Sequence, residues 1–183
     1  MMQRTSSRAI LFCALLMSAI AVRPVFAEDK YALKAPNGVP FSDFKGYENW
    51  TTVALSVTEK GLKQIAANDI MIKAFRSGIP GNGKPFPEGS KIAKIQWSKK
   101  DNPEAPFDVQ VTDEQKFVEF IEKDSKKYAG THGWGYAEFI YDPAKDSFNT
   151  EGADVQRVVT GECNTCHEIV PGKDFIFTAY AHR

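Results

Sequence analysis

The sequence predicts an α+β domain, an antiparallel β-sheet with a few helices packed on it. Three observations carry this expectation. Strand-like segments come first and a helix-like segment comes last. The connections between them are short, as antiparallel hairpins allow. Val53, Leu55 and Val57 alternate with Thr52, Ala54 and Ser56, the period-two pattern of a strand with one buried face.

In chain order, residues 28–40 are polar, carry Pro36 and Pro40, and read as a loose arm. Ser42 or Asp43 is placed to cap a short helix through Tyr47. Residues 50–58 read as the first strand and residues 61–67 as its antiparallel partner. Asp69 can cap a short helix over residues 70–77, which Gly78 stops. Residues 78–89 crowd glycines and prolines and read as a long ordered loop, a kind of segment often used for function. Strands follow at 91–98, 116–123 and 134–141, the last rich in aromatics. Residues 153–166 read as the final helix.

Residues 1–27 have the pattern of a removed secretory signal. Arg4 and Arg8 give a positive start, the apolar run from Ala9 to Val22 is short for a bilayer span, and Val25-Phe26-Ala27 offers a cleavage site. A single domain, residues 28–183, is expected to follow, in the periplasm. The full chain holds 23 basic and 23 acidic residues, and the leader takes three arginines and no acid with it. The mature chain is then slightly acidic, which argues against a nucleic-acid partner. No second apolar stretch is long enough to span a membrane.

The cysteines are more informative. Cys13 leaves with the leader, so the mature chain keeps Cys163 and Cys166, with His167 directly after them. The string Cys163-Asn164-Thr165-Cys166-His167 is the C-x-x-C-H signature of covalent haem attachment. Two thioethers must reach two vinyl groups on one porphyrin edge, and the next residue must bring an imidazole under the iron. Chance placement of three cysteines and three histidines gives this string about 0.0008 times in such a chain. A thioredoxin-like pair belongs early in a fold, after its first strand. A zinc site needs about four ligands, and the mature chain offers two cysteines with His132, His167 and His182. A plain disulfide leaves the histidine unexplained. One covalent haem c with His167 as iron ligand is therefore expected.

The sixth iron position is expected to be open. Met71 lies on a short amphipathic helix and reads as core, His132 as a surface turn residue, and His182 is beside the chain end. An open face implies small-molecule binding or chemistry, whereas electron carriers fill both axial positions. The strand-rich order also argues against the small all-helical cytochrome c and against a four-helix bundle.

The chain resembles the cytochrome P-460 family, which includes the cytochromes c′-beta. The resemblance rests on residues 50–58, on Pro85-Phe86-Pro87-Glu88-Gly89 with residues 91–97, on Glu122-Lys123-Asp124-Ser125-Lys126, on Gly133-Trp134, and on Cys163 to His167 followed by Lys173-Asp174-Phe175-Ile176-Phe177-Thr178. It implies an antiparallel sheet, a C-terminal attachment motif and, in many members, a dimer. Enzymes of the family oxidise hydroxylamine, with nitric oxide as intermediate or alternative substrate, and carry a lysine joined to the haem. The matching position is Lys94, among Ile92, Ala93 and Ile95. Desolvation there would favour its neutral, nucleophilic amine.

The resemblance also implies a distal carboxylate shortly before the attachment motif, to take protons from the substrate. Here that stretch reads Val155-Gln156-Arg157-Val158-Val159. Asp154 and Glu138 are the candidate proton acceptors, neither at the matching position. The c′-beta members instead cap the open face with phenylalanines and bind nitric oxide or carbon monoxide, and Phe75 and Phe86 are candidates for such a cap. Three readings follow: an enzyme acting on hydroxylamine, a binder of nitric oxide or carbon monoxide, or a six-coordinate electron-transfer protein. A small ligand, a soluble redox partner and a second copy of the chain are the partners implied.

Overall fold

The computed structural model describes residues 29–152, 156–158 and 160–181. The expected leader, Cys13, Asp154 and His182 lie outside the described residues. Six strands run in chain order: β1 (Thr51–Thr58), β2 (Gly61–Ala67), β3 (Lys91–Asp101), β4 (Gln110–Lys123), β5 (Trp134–Asp142) and β6 (Ser147–Asn149). Each pairs antiparallel with the next, giving one sheet in the order β1-β2-β3-β4-β5-β6. Two helices accompany it, α1 (Asp69–Arg76) and α2 (Glu162–His167), with several short 3₁₀ turns. The fold is the α+β sheet with a few helices that the segment order predicts. No described helix is long and apolar enough to cross a membrane.

Both faces of the sheet are covered, and by different segments. Ala93, Ile95, Val118, Phe120, Ala137 and Phe139 face one way and pack under Ala35, Val39, Phe41, Phe44 and Tyr47. Phe44 stacks on Phe120 with ring centroids 4.1 Å apart. Ile65, Ala67, Ile92, Trp134 and Tyr136 face the other way and meet α1, Phe86, Val158 and Ile176. The alternation along each strand produces this division, because successive side chains point to opposite faces.

Several expectations are corrected. The segment 28–40 is no loose arm: Ala35 and Val39 are buried, and Lys34 bridges to Pro40. Its few apolar residues fill one face of the sheet, which local polarity does not reveal. The helix expected through Tyr47 is two 3₁₀ turns, Phe41–Phe44 and Tyr47–Asn49, parted by Gly46 at φ 82°. Helix α1 is capped by Asn68, one residue before Asp69. The Asn68 side chain accepts from the amides of Met71 and Lys91 and donates to Gly89, so the cap also ties α1 to the start of β3. Strands β3 and β4 extend beyond residues 98 and 116 as an exposed polar hairpin with register shifts near Trp97, where no buried face leaves a pattern to read. Strand β6 is too short to show alternation. The final helix is broken: residues 156–158 are helical, Gly161 turns at φ 80°, and α2 follows.

Glu122 is buried beneath β4 and accepts hydrogen bonds from Lys127 at 3.0 Å and from the Tyr128 hydroxyl at 2.5 Å, with Lys91 at 3.4 Å. Burial raises its carboxyl pKa, but these donors and cations outweigh burial and hold it below the usual range. A depressed folded pKa contributes stability above the ordinary carboxylate range, lost as pH falls through the lowered value. Glu122→Gln is therefore expected to lower stability at neutral pH by about 2 kcal/mol and to flatten the decline in stability between roughly pH 5 and pH 2, read by urea denaturation across that range. A Cβ added at Gly135 would fall 2.2 Å from the Tyr128 ring. Gly135→Ala should displace that tyrosine and cost about 1–3 kcal/mol in the same assay.

Candidate functional site

The site is built on the face of the sheet that meets α2. Directly opposed residues on neighbouring strands share a face, and one such row reads Ala54, Ile65, Lys94, Glu119, Glu138 across β1 to β5. Ile92, Ile121 and Tyr136 form the next row. These rows line a cavity of about 610 Å³, with Arg157, Cys163, Cys166, His167, Ile176 and Phe177 on its other walls.

The polar row sets two adjacent carboxylates, Glu119 and Glu138, between two cations, Lys94 and Arg157. Lys94 forms an ion pair with Glu119. Glu119 stands opposite Glu138 on β5. Arg157 Nη2 lies 3.5 Å from Glu138 Oε2. Two carboxylates directly opposed would repel, and the flanking cations offset that repulsion. Glu138 is fully buried, at 0% exposure. Burial, with the charge of Lys63, pushes the Lys94 amine down to about 8, against the opposing pull of Glu138 and Cys163.

Helix α2 supplies the thiols and the imidazole. Gly161, in the left-handed region, allows the chain to turn into the helix, and its carbonyl accepts from the Thr165 amide at 3.0 Å. Spacings of three and four residues place Cys163, Cys166 and His167 on one helical face. Both thiols are free. Burial and then the Glu138 charge push the Cys163 thiol up. The His167 ring lies between Tyr136 and Phe177, with centroids 5.0 and 4.8 Å away. Its Nδ1 donates to the Phe175 carbonyl at 2.5 Å, which leaves Nε2 as the nitrogen with a lone pair to offer. Burial lowers the His167 pKa more than this carbonyl raises it, favouring the neutral imidazole a metal needs.

The Phe175 carbonyl is itself fixed. Asp174 and Phe175 both hold positive φ, 47° and 64°. The Asp174 carboxylate meets Lys123 Nζ at 3.0 and 3.3 Å and accepts the Phe86 amide at 2.8 Å. Lys123 Nζ also donates to the His132 carbonyl at 3.2 Å and sits 4.8 Å from the centroid of the Trp134 ring. The His132 ring stacks on Phe175 at 4.3 Å. A hook of chain after α2 is thus clamped to the sheet, and the hook holds the imidazole.

Of the residues expected at the site, Lys94, Glu138, Cys163, Cys166 and His167 line one cavity, and Asp154 lies outside the described residues. Met71 is buried in the core and Phe75 packs on Phe86 at 5.0 Å, and none of the three lines the cavity. The expectation of a phenylalanine cap from Phe75 and Phe86 is corrected accordingly, because Phe75 on α1 and Phe86 in the loop before β3 pack on each other within the core, Phe86 also against Trp134. His132 pairs with Glu168 at the surface, at 2.9 Å. Sequence reasoning missed Glu119, Tyr136 and Arg157. Extending the period-two pattern of β4 from Phe117 and Ile121 would have placed Glu119 on the cavity face. Asp174→Ala is expected to leave Lys123 buried without its counter-charge, lowering stability by about 3–5 kcal/mol in urea denaturation.

The residues fit an iron porphyrin. Two free thiols and one oriented imidazole share a wall with a large, mostly apolar cavity, and the Tyr136 hydroxyl is buried without a hydrogen-bond partner among the described residues. Among these residues no cluster of three or more His, Cys, Asp or Glu side chains is arranged to hold a metal ion by itself. A search of curated proteins returns no match. The family model for Cytochrome P460 matches residues 44–178, a stretch that runs from the buried Phe44 through the sheet and α2 to the hook. The chain belongs to the cytochrome P460 family, and with it to the haem-iron proteins.

Proposed function

We propose that this chain is an exported, periplasmic mono-haem c-type cytochrome that oxidises small nitrogen species, hydroxylamine foremost, at an iron with an open face. The haem would be joined through Cys163 and Cys166 and ligated by His167. One observation carries the reading: the attachment residues and the buried acid Glu138 line the same cavity. The described lining holds a single imidazole, that of His167, and no methionine thioether.

When bound, the haem supplies a Lewis-acidic, electron-accepting iron. The remaining work falls to the chain. Ile65, Ile92, Ile121 and Ile176 line the cavity with apolar surface, which strengthens each electrostatic interaction inside it. Glu138 accepts protons released from hydroxylamine, and Arg157 offsets the charge of the carboxylate. Glu119, paired with Lys94 and opposed to Glu138, is the next acceptor toward the open side of the sheet. Lys94, with an amine lowered to about 8, is positioned at the haem pocket to join or tune the ring.

The test is oxidation of hydroxylamine by the haem-loaded protein with an artificial oxidant. Glu138→Gln should reduce turnover about 100-fold while leaving nitric oxide uptake intact. Uptake of nitric oxide with no hydroxylamine consumption by the parent protein would replace this reading with the gas-binding one. Low-spin, six-coordinate iron in both redox states would replace it with electron transfer. Peptide mass analysis should find haem on the Cys163–Cys166 peptide, and the Cys163→Ala/Cys166→Ala double variant should release its haem on denaturation while the parent retains it.

A further inference from the structure

A second cavity, about 440 Å³, adjoins the first and shares Lys63, Lys94, Glu119 and Arg157 with it. Lys60, Lys116, Gln96 and Phe117 are among its other walls. Five basic side chains therefore surround this space, with Glu119 the one acid among its lining residues. Glu119 pairs with Lys94, and Glu114 pairs with Lys116 at 2.8 Å. Glu138 faces Arg157 from the haem cavity side. A cationic excess remains, in a chain whose basic and acidic residues are equal in number.

Ion pairs with Glu119, Glu114 and Glu138 offset Lys94, Lys116 and Arg157, which leaves the charges of Lys60 and Lys63 in excess. Like charges gathered around one cleft repel, and a packed core needs none of them. Low-dielectric walls of one sign focus the field and raise the local concentration of an oppositely charged ligand. The basic groups also run inward. Lys60 and Lys116 are exposed at the outer end, whereas Lys63, Lys94 and Arg157 are partly buried and shared with the haem cavity. A docked protein surface would meet only the outer pair. A small anion can follow the whole series.

We propose that this basic antechamber draws small inorganic anions into the haem cavity, so that an anionic nitrogen oxide, with nitrite as the probe, is a ligand of this site beside the neutral species. The inference rests on the open-face reading above. It assigns Lys60, Lys63 and Lys116 to ligand capture, outside the residues that hold the haem.

The test uses the oxidised, haem-loaded protein and follows nitrite association by stopped-flow absorbance, with nitric oxide as an uncharged control. Steering of this kind is worth about 10-fold or more in association rate and falls with ionic strength. Lys60→Gln combined with Lys116→Gln should slow nitrite association about 10-fold at low salt and remove most of its salt dependence, with the nitric oxide rate changed less than about two-fold. Both lysines are exposed, so the fold tolerates the change, and Lys60→Glu alone should shift the nitrite rate in the same direction. Nitrite rates independent of these charges and of salt, with nitric oxide still binding, would overturn the antechamber alone. Equal slowing of both ligands would overturn it too. If neither ligand altered the spectrum, the open-face reading itself would fall.

Discussion

The buried ion pair between Lys123 and Asp174 holds the site together. Its two side chains are 6% and 11% exposed, so both charges have left water. Such a pair gains little net stability unless its remaining hydrogen-bonding capacity is filled. Here it is filled: Lys123 reaches both Asp174 oxygens and the His132 carbonyl, and Asp174 also accepts the Phe86 amide. The gain is positional. Strand β4, the loop before β3, the turn before β5 and the hook after α2 are fixed to one another at a single point. The left-handed backbone at Asp174 and Phe175 is unfavourable for residues with a Cβ, and the clamp supplies the contacts that maintain it. The Phe175 carbonyl then fixes the orientation of His167.

The sheet separates support from chemistry. One face is closed by the N-terminal segment, with Phe41 meeting Phe120 and Phe139 at 5.1 and 4.7 Å. This packing fixes the strands, and the other face can then carry charges that a core would not accept. Lys94 and Arg157 flank Glu119 and Glu138, so each carboxylate has a cation beside it and four ionisable groups can stand together beside apolar walls. A rigid sheet is a better platform than a loop for such a row, because each side chain is set by the register of the strand beneath it.

The same geometry joins two functions of the cavity. The wall made by α2 carries two thiols and an imidazole, and the wall made by the sheet carries acidic and basic side chains. Family membership accounts for the first wall through haem and iron. A change of one side chain in the row on the second wall alters charge without disturbing strand pairing, which rests on backbone groups. In the stretch before α2, where the family resemblance implies a carboxylate, this chain places Arg157, whose Nη2 lies 3.5 Å from Glu138 of β5.

The sequence alone determined the local features. Period-two alternation marked β1, the segment directly after it marked β2 as its partner, aromatic residues marked β5, and the glycines and prolines of residues 78–89 marked the loop. The C-x-x-C-H spacing marked the two thiols and the imidazole of the cavity wall, because one turn of chain brings Cys163, Cys166 and His167 together without help from distant segments. The tertiary structure decided whatever depends on residues far apart in the chain. Strand pairing, not composition, set Glu119 between Lys94 and Glu138, and packing turned Phe75, Phe86 and Met71 away from the cavity. The burial of residues 29–50 and the union of Lys123 with Asp174 are of the same kind. Local patterns report the face a residue prefers, whereas the identity of its neighbour across that face is fixed only when the chain closes on itself.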